Sequence, residues 1–259
     1  MKVVILCGGK GTRLREETEF RPKPMVPIGE RPILWHIMKS YARWGHRDFI
    51  LCLGYKGEMI KEYFRNYLWN TCDVTVSLGR KASIKYHDHH DEEDWNVTLA
   101  DTGAESGTAH RVKMIQRYIA PGEPFMLTYG DGLSNIDLDA LKENHQRAGK
   151  VLTMSAVHPA GRFGWLKLGA DGALEKFQEK AAQEANYVNG GFMVCDYRLF
   201  DYLAPCGEKM MFEADPVEAL VRDGQLNCYL HEGFWQPMDT YQESQHLNRL
   251  WSEGQAPWA

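Results

Sequence analysis

The residues best equipped for chemistry are a set of glycines and cations near the start of the chain and two aspartates that each follow an apolar run. The first set is Leu6-Cys7-Gly8-Gly9-Lys10-Gly11-Thr12-Arg13. Glycines let backbone N–H groups approach an anion closely, and arginine adds a forked, permanent charge. Such a loop suits a phosphate chain. A P-loop is ruled out by spacing, because Gly11 rather than Ser or Thr follows Lys10. A dinucleotide fingerprint on Gly9 and Gly11 would place its third glycine at Leu14. Two readings stay open: a loop for a nucleoside triphosphate, or a plain strand-to-helix turn with solvated cations.

Asp131, framed by Gly130 and Gly132, presents a carboxylate just past an apolar strand. Mg²⁺ takes one or two protein carboxylates and fills its shell with waters and phosphate oxygens, so no dense acidic cluster is needed. Asp239 in FWQPMDT is either the second carboxylate of that site or the N-cap of a helix starting near Thr240. Lys23 lies between Pro22 and Pro24, which stiffen the backbone and lower the cost of ordering it. It suits a phosphate or stands as a solvated loop residue. Arg111, after the small-residue turn Ser106-Gly107-Thr108, either holds a base or ribose or serves a helix cap. Asn189-Gly190-Gly191 and the pair Glu179-Lys180 offer groups that orient sugar hydroxyls and a phosphate. The run HDHHDEED, 87–94, carries metal-donor side chains without a hydrophobic framework to place them and reads as a charged loop.

These residues need a scaffold, and the hydrophobic pattern supplies one. Strands are expected at 2–7, 48–53, 74–78, 96–101 and 123–129, with helices at 32–44, 56–68, 111–118 and 138–148. Strand and helix alternate, which predicts a parallel sheet with ligands at the carboxyl ends of its strands. Both the glycine loop and Asp131 fall at such ends. Beyond residue 150 the texture shifts to strands at 151–157, 187–195 and 226–232, a hairpin turning at 169–172, and helices at 216–223 and 241–253, so part of the sheet should be antiparallel. With 259 residues and 44% hydrophobic content the chain can bury a sizeable core as one main domain. Its net charge of -5 argues against nucleic acid as a partner, and no run is long and apolar enough for a membrane, so a cytoplasmic protein is expected. Six cysteines without a C-x-x-C pair suggest free thiols rather than disulfides or zinc.

Taken together, the motifs resemble the sugar-phosphate nucleotidyltransferases. The likeness rests on the loop 8–14, on Pro22-Lys23-Pro24-Met25, on Gly130-Asp131 and on Asn189-Gly190-Gly191. It is strongest to the bacterial branch acting on glucose 1-phosphate with CTP, through the stretches PILWHIMKSYARWGHRDFILCLGYKGEMIKEYF, WNVTLADTG, GRFG, FWQPMDT and LWSEGQAPW. The resemblance spans the whole chain. It implies an α/β fold with a Rossmann-like mixed, mainly parallel sheet flanked by helices, of the GT-A-like kind, with a small antiparallel region. It implies a single domain over 1–259, in which 1–150 binds nucleotide and 151–259 the sugar phosphate. The implied reaction joins CTP and α-D-glucose 1-phosphate into CDP-glucose and pyrophosphate, with Mg²⁺ as cofactor.

The residue roles follow from the same resemblance. Leu6, Cys7, Gly8, Gly9, Lys10, Gly11, Thr12 and Arg13, with Lys23, Ser106, Arg111 and Gly130, would bind the nucleotide. Arg13, Lys23 and Asp131 would be catalytic, and Asp131 with Asp239 would hold the metal. Glu179, Lys180, Asn189 and Gly164 would meet the sugar phosphate. The chain departs from the family pattern at Cys7, at Ala109-His110, at Ala181 and at Trp165, the last of which bears on the sugar pocket. Other members of the class use dTTP, UTP or another sugar phosphate, and a non-catalytic nucleotide-sugar-binding subunit is the reading from a different class. A homo-oligomer is also implied, with Trp69, Trp95 and Trp251 as surface candidates.

Overall fold

The computed structural model describes residues 1–87, 94–159 and 187–259, together with the backbone of the strands Trp165–Leu168 and Leu174–Gln178. Its centre is a seven-stranded sheet. In chain order the strands are β1 (Val3–Leu6), β2 (Asp48–Leu53), β3 (Asn96–Asp101), β4 (Phe125–Tyr129), β5 (Leu152–Val157), β6 (Val188–Cys195) and β7 (Leu226–His231). They lie side by side as β7-β5-β6-β4-β1-β2-β3. The pairs β1–β2, β1–β4, β2–β3 and β5–β7 are parallel, whereas β6 runs antiparallel to both its neighbours. The fold is therefore α/β with a mixed, mainly parallel sheet, as the alternation of strand and helix predicts.

Each central strand is buried on both faces because its residues split two cores. Val3 and Ile5 join one apolar cluster, Val4 and Leu6 the other. Phe125 and Leu127 likewise face away from Met126. Successive strand residues point to opposite faces, so an unbroken apolar run such as Val3–Leu6 needs helices on both sides. On one face lie α1 (Ile33–Arg43), α2 (Gly57–Arg65), α4 (Leu138–Ala148) and α6 (Tyr241–Ser252); on the other lie α3 (Thr108–Met114), the short helix Leu199–Leu203 and α5 (Asp215–Arg222).

Several boundaries differ from the periodicity. The helix expected over 56–68 breaks at Asn66 into Gly57–Arg65 and Tyr67–Thr71. That expected over 111–118 starts earlier, at Thr108, and tightens into a 3₁₀ turn over Ile115–Tyr118. Val74–Ser77 does not join the sheet but folds back on Ser83–Tyr86 as a separate hairpin. Its alternating pattern is exposed, with Leu78 89% accessible. The turn expected at 169–172 and most of the 87–94 run lie outside the described residues, although Trp165–Leu168 and Leu174–Gln178 do pair antiparallel. Of the cysteines, Cys7, Cys52, Cys195 and Cys206 are buried while Cys228 is exposed, and all six are free. Trp95 and Trp251 pack against the core, and Trp69 is exposed.

Candidate active site

The carboxyl ends of β1 and β4 open into a cavity of about 500 Å³, within the usual range for small-molecule sites. All eight residues of Leu6 to Arg13 line it, together with Lys23, Ser106, Arg111, Gly130 and Asp131. Every nucleotide-binding candidate of the sequence is thus gathered in one place.

Backbone geometry explains why the loop needs its glycines. Gly11 has φ +61°, and a Cβ there would stand 2.7 Å from Thr18 Cγ2. Gly8 is pressed against Arg111, whose Nη1 would lie 2.2 Å from any Cβ. Arg111 is buried and acts as a clamp beneath the loop. Its Nη1 donates to the carbonyls of Leu53 (3.0 Å) and Gly103 (2.7 Å) and to Thr102 Oγ1 (2.9 Å), and its Nη2 to the carbonyls of Gly8 (3.1 Å) and Ala104 (3.4 Å). These bonds tie the glycine loop to the ends of β2 and β3, so Arg111 is an organiser of the loop rather than a helix cap. At the rim, Lys10 and Glu105 pair at 2.8 Å, both exposed. Cys7 is fully buried in the wall, and burial pushes its thiol pKa well above the ordinary value, so it is inert there.

Asp131 and Asp239, far apart in sequence, are brought together by a pairing that no hydrophobic pattern announced. Gly132–Ser134 and Trp235–Pro237 form a two-stranded antiparallel ladder with Pro237 opposite Gly132. Met238 N–H then donates to the Asp131 carbonyl at 2.8 Å. Gly130 has no room for a side chain, since a Cβ would meet Leu6 O and Pro24 Cγ at 2.9 Å. Asp239 is not the helix cap. Thr240 takes that role, accepting from Glu243 N, while the Glu243 carboxylate accepts from the N–H groups of Asp239 (2.7 Å) and Thr240 (2.8 Å). The Asp239 side chain is left to meet residues that line the cavity.

There it meets two cations. Lys23 Nζ lies 2.7 Å from Asp131 Oδ2 and 2.6 Å from Asp239 Oδ1, and Arg13 Nη1 lies 2.8 Å from Asp239 Oδ2. Lys23 is 8% exposed, held in a 3₁₀ turn that Pro22 and Pro24 frame. Burial alone would lower its pKa, but the two carboxylates outweigh burial and raise it, so the ammonium stays charged. Two hard oxygen donors therefore converge on one cationic position. Among the described residues no group of three His, Cys, Asp or Glu side chains converges as a metal cluster.

Asn189 lies on β6, and its Nδ2 donates to the Tyr129 hydroxyl at 3.5 Å. Gly164, Glu179, Lys180, Ala181 and the side chain of Trp165 lie outside the described residues. Sequence reasoning passed over Tyr129, Thr108 and Met211, which also line the cavity, and Glu213, which binds the first two. Tyr129 could have been found as the residue before Gly130-Asp131; nothing in the local pattern marks Glu213.

A glycine loop on a parallel sheet, facing a basic cluster and two converging aspartates, defines a nucleotide-handling α/β site. The chain matches the nucleotidyl transferase family model over residues 2–243 and belongs to that family. Within it, the chain is 46% identical over 258 residues to the glucose-1-phosphate cytidylyltransferases of Salmonella typhimurium and Salmonella typhi, covering 100% of this chain and 98% of theirs. Among solved structures, HddC from Yersinia pseudotuberculosis superposes with a TM-score of 0.70 at 21% identity, over 96% of this chain and 99% of that one, which supports the fold. No helix among the described residues is long and apolar enough to cross a membrane.

Proposed function

We propose that the chain transfers the cytidylyl group of CTP to α-D-glucose 1-phosphate, giving CDP-glucose and pyrophosphate. The observation that carries this reading is the convergence of Arg13, Lys23, Asp131 and Asp239 at a cavity walled by the glycine loop. The 46% identity to the Salmonella enzymes supports the choice of base and sugar. In this reading Leu6–Arg13, Ser106 and Gly130 enclose the nucleotide, Arg111 holds the loop in shape, and Asn189 meets the acceptor. Glu179, Lys180 and Gly164 keep the acceptor roles that the family resemblance implies. Trp69 is an exposed candidate for contacts in a homo-oligomer.

Little covalent work is asked of the protein. A phosphate oxygen of the acceptor is already a nucleophile; it attacks the α-phosphorus in line, the bond to the β-phosphate oxygen breaks, and pyrophosphate leaves. What the side chains supply is alignment and charge. Lys23 and Arg13 are paired with the two carboxylates, so a triphosphate that engages these cations would compete with Asp131 and Asp239 for them. That exchange would release Asp131 and Asp239, which would hold Mg²⁺. The ion would supply Lewis-acid stabilisation of the charge that develops on the phosphates. Preorganised cations in a partly dry site act in the same direction without reorganising at the moment of reaction.

The test is substitution of Asp131 and of Asp239 by Ala, with pyrophosphate release from CTP and glucose 1-phosphate as readout. Each change is expected to lower turnover by about 10²–10³. Turnover near the wild-type value in either variant would contradict the shared metal site.

A further inference from the structure

Glu213 belongs to a segment laid along the first turn of α3. Gly107 N–H donates to Glu208 O (2.8 Å), Ala109 N–H to Met210 O (3.1 Å) and Phe212 N–H to Thr108 Oγ1 (2.7 Å). The fit is close enough that a Cβ at Gly107 would stand 2.1 Å from Met210 O. This docking sets the Glu213 carboxylate between two residues that line the cavity. It accepts from the Thr108 hydroxyl at 3.2 Å and from the Tyr129 hydroxyl.

The direction of these bonds carries the consequence. A carboxylate accepts and does not donate, so the one proton of Tyr129 is committed to Glu213 and its oxygen lone pair faces Asn189. Asn189 Nδ2 donates to that oxygen at 3.5 Å, while Asn189 Oδ1 accepts from Gly191 N–H at 2.8 Å. The amide is thereby locked in one of its two flip states. Among the described residues its second N–H has no partner. Tyr129 is itself pinned, for its ring lies 2.7 Å from where a Cβ would stand on Gly191, whose φ is +81°.

We propose that Glu213 is a positioning residue for the acceptor: acting through Tyr129, it fixes the Asn189 amide with an N–H turned toward the sugar phosphate. The proposal rests on the reading of Asn189 as an acceptor-binding residue. Steady-state kinetics with CTP and glucose 1-phosphate test it in Glu213→Ala, Glu213→Gln, Tyr129→Phe and Asn189→Ala. Loss of one oriented hydrogen bond is expected to raise the KM for glucose 1-phosphate about tenfold in Glu213→Ala, with the KM for CTP within about twofold of wild type. Glu213→Gln, whose Oε1 still accepts from Tyr129, should recover most of the loss. Tyr129→Phe should copy Glu213→Ala and carries the test if the alanine variant does not fold. Adding Glu213→Ala to Asn189→Ala should change little. Equal loss for both substrates, no recovery by Gln, or full additivity would overturn the link. An acceptor KM unchanged in Asn189→Ala would instead remove the reading beneath it, and a silent wild type would remove the proposed reaction itself.

Discussion

In the proposed reaction Lys23 serves two states of one site. Its ammonium sits 2.6–2.7 Å from both aspartates, in the position a divalent cation would contest. Lys23→Gln removes that competitor. Without nucleotide, the variant is expected to bind Mn²⁺ at least about tenfold more tightly than wild type, read from the electron-spin resonance of free Mn²⁺. Its turnover should fall by about 10²–10³ if Lys23 is the phosphate partner proposed above. Equal Mn²⁺ affinity in the two proteins would show that Lys23 does not guard the carboxylates. At this scale the sequence was informative where the residue type is the requirement. Gly8, Gly11 and Gly130 each stand where a side chain would collide, whereas Lys23 between prolines stays open in the sequence between a phosphate cation and a solvated loop residue. It was uninformative where the partner lies far along the chain. Asp239 looked like a helix cap on local spacing, and only the fold shows that Thr240 caps and Asp239 faces Lys23.

The elements that position the site divide in the same way. Strand β1, helix α1 and strand β2 are legible because an unbroken apolar run and a helical stripe are local signals, and the boundaries agree within a residue or two. The ladder of Gly132–Ser134 with Trp235–Pro237 was not legible, being three residues long on each side and held by long-range register. Yet it is this ladder that brings the two aspartates together. Its C-terminal end is fixed by the capping box of α6, in which Glu243 also binds the Asp239 N–H. Thr240→Ala should therefore cost about 1 kcal/mol in urea unfolding and reduce turnover several-fold through a looser Asp239. An unchanged unfolding midpoint would mean that the box is not what anchors the helix.

Across the whole molecule the chain ends are tied to the scaffold. Strands from both 1–150 and 151–259 share one sheet, with antiparallel β6 as the seam. The C-terminal Trp258, 3% exposed, donates from Nε1 to His36 Nδ1 at 3.3 Å, so Nε2 carries the proton and donates to Ile28 O at 2.9 Å. Burial above all lowers the His36 pKa from 6.5 to about 4. The sign follows: the folded state prefers neutral His36, so its contribution is full above about pH 6.5 and is lost as pH falls through about 4. Between pH 7.5 and 4.5 wild type should lose about 2–3 kcal/mol from this group, and His36→Gln should lose correspondingly less over the same range. Parallel pH curves for the two proteins would contradict the assignment. The choice of base and sugar depends on contacts made by many residues at once, and the pattern of single motifs does not spell that out.

The most direct test of the proposed transfer is pyrophosphate release with Mg²⁺ and glucose 1-phosphate, supplying CTP, UTP, dTTP, ATP and GTP in turn and recording product mass. The account predicts a CTP-selective signal with a product of the mass of CDP-glucose. Release that favours another nucleotide, or none with any of the five, would contradict it.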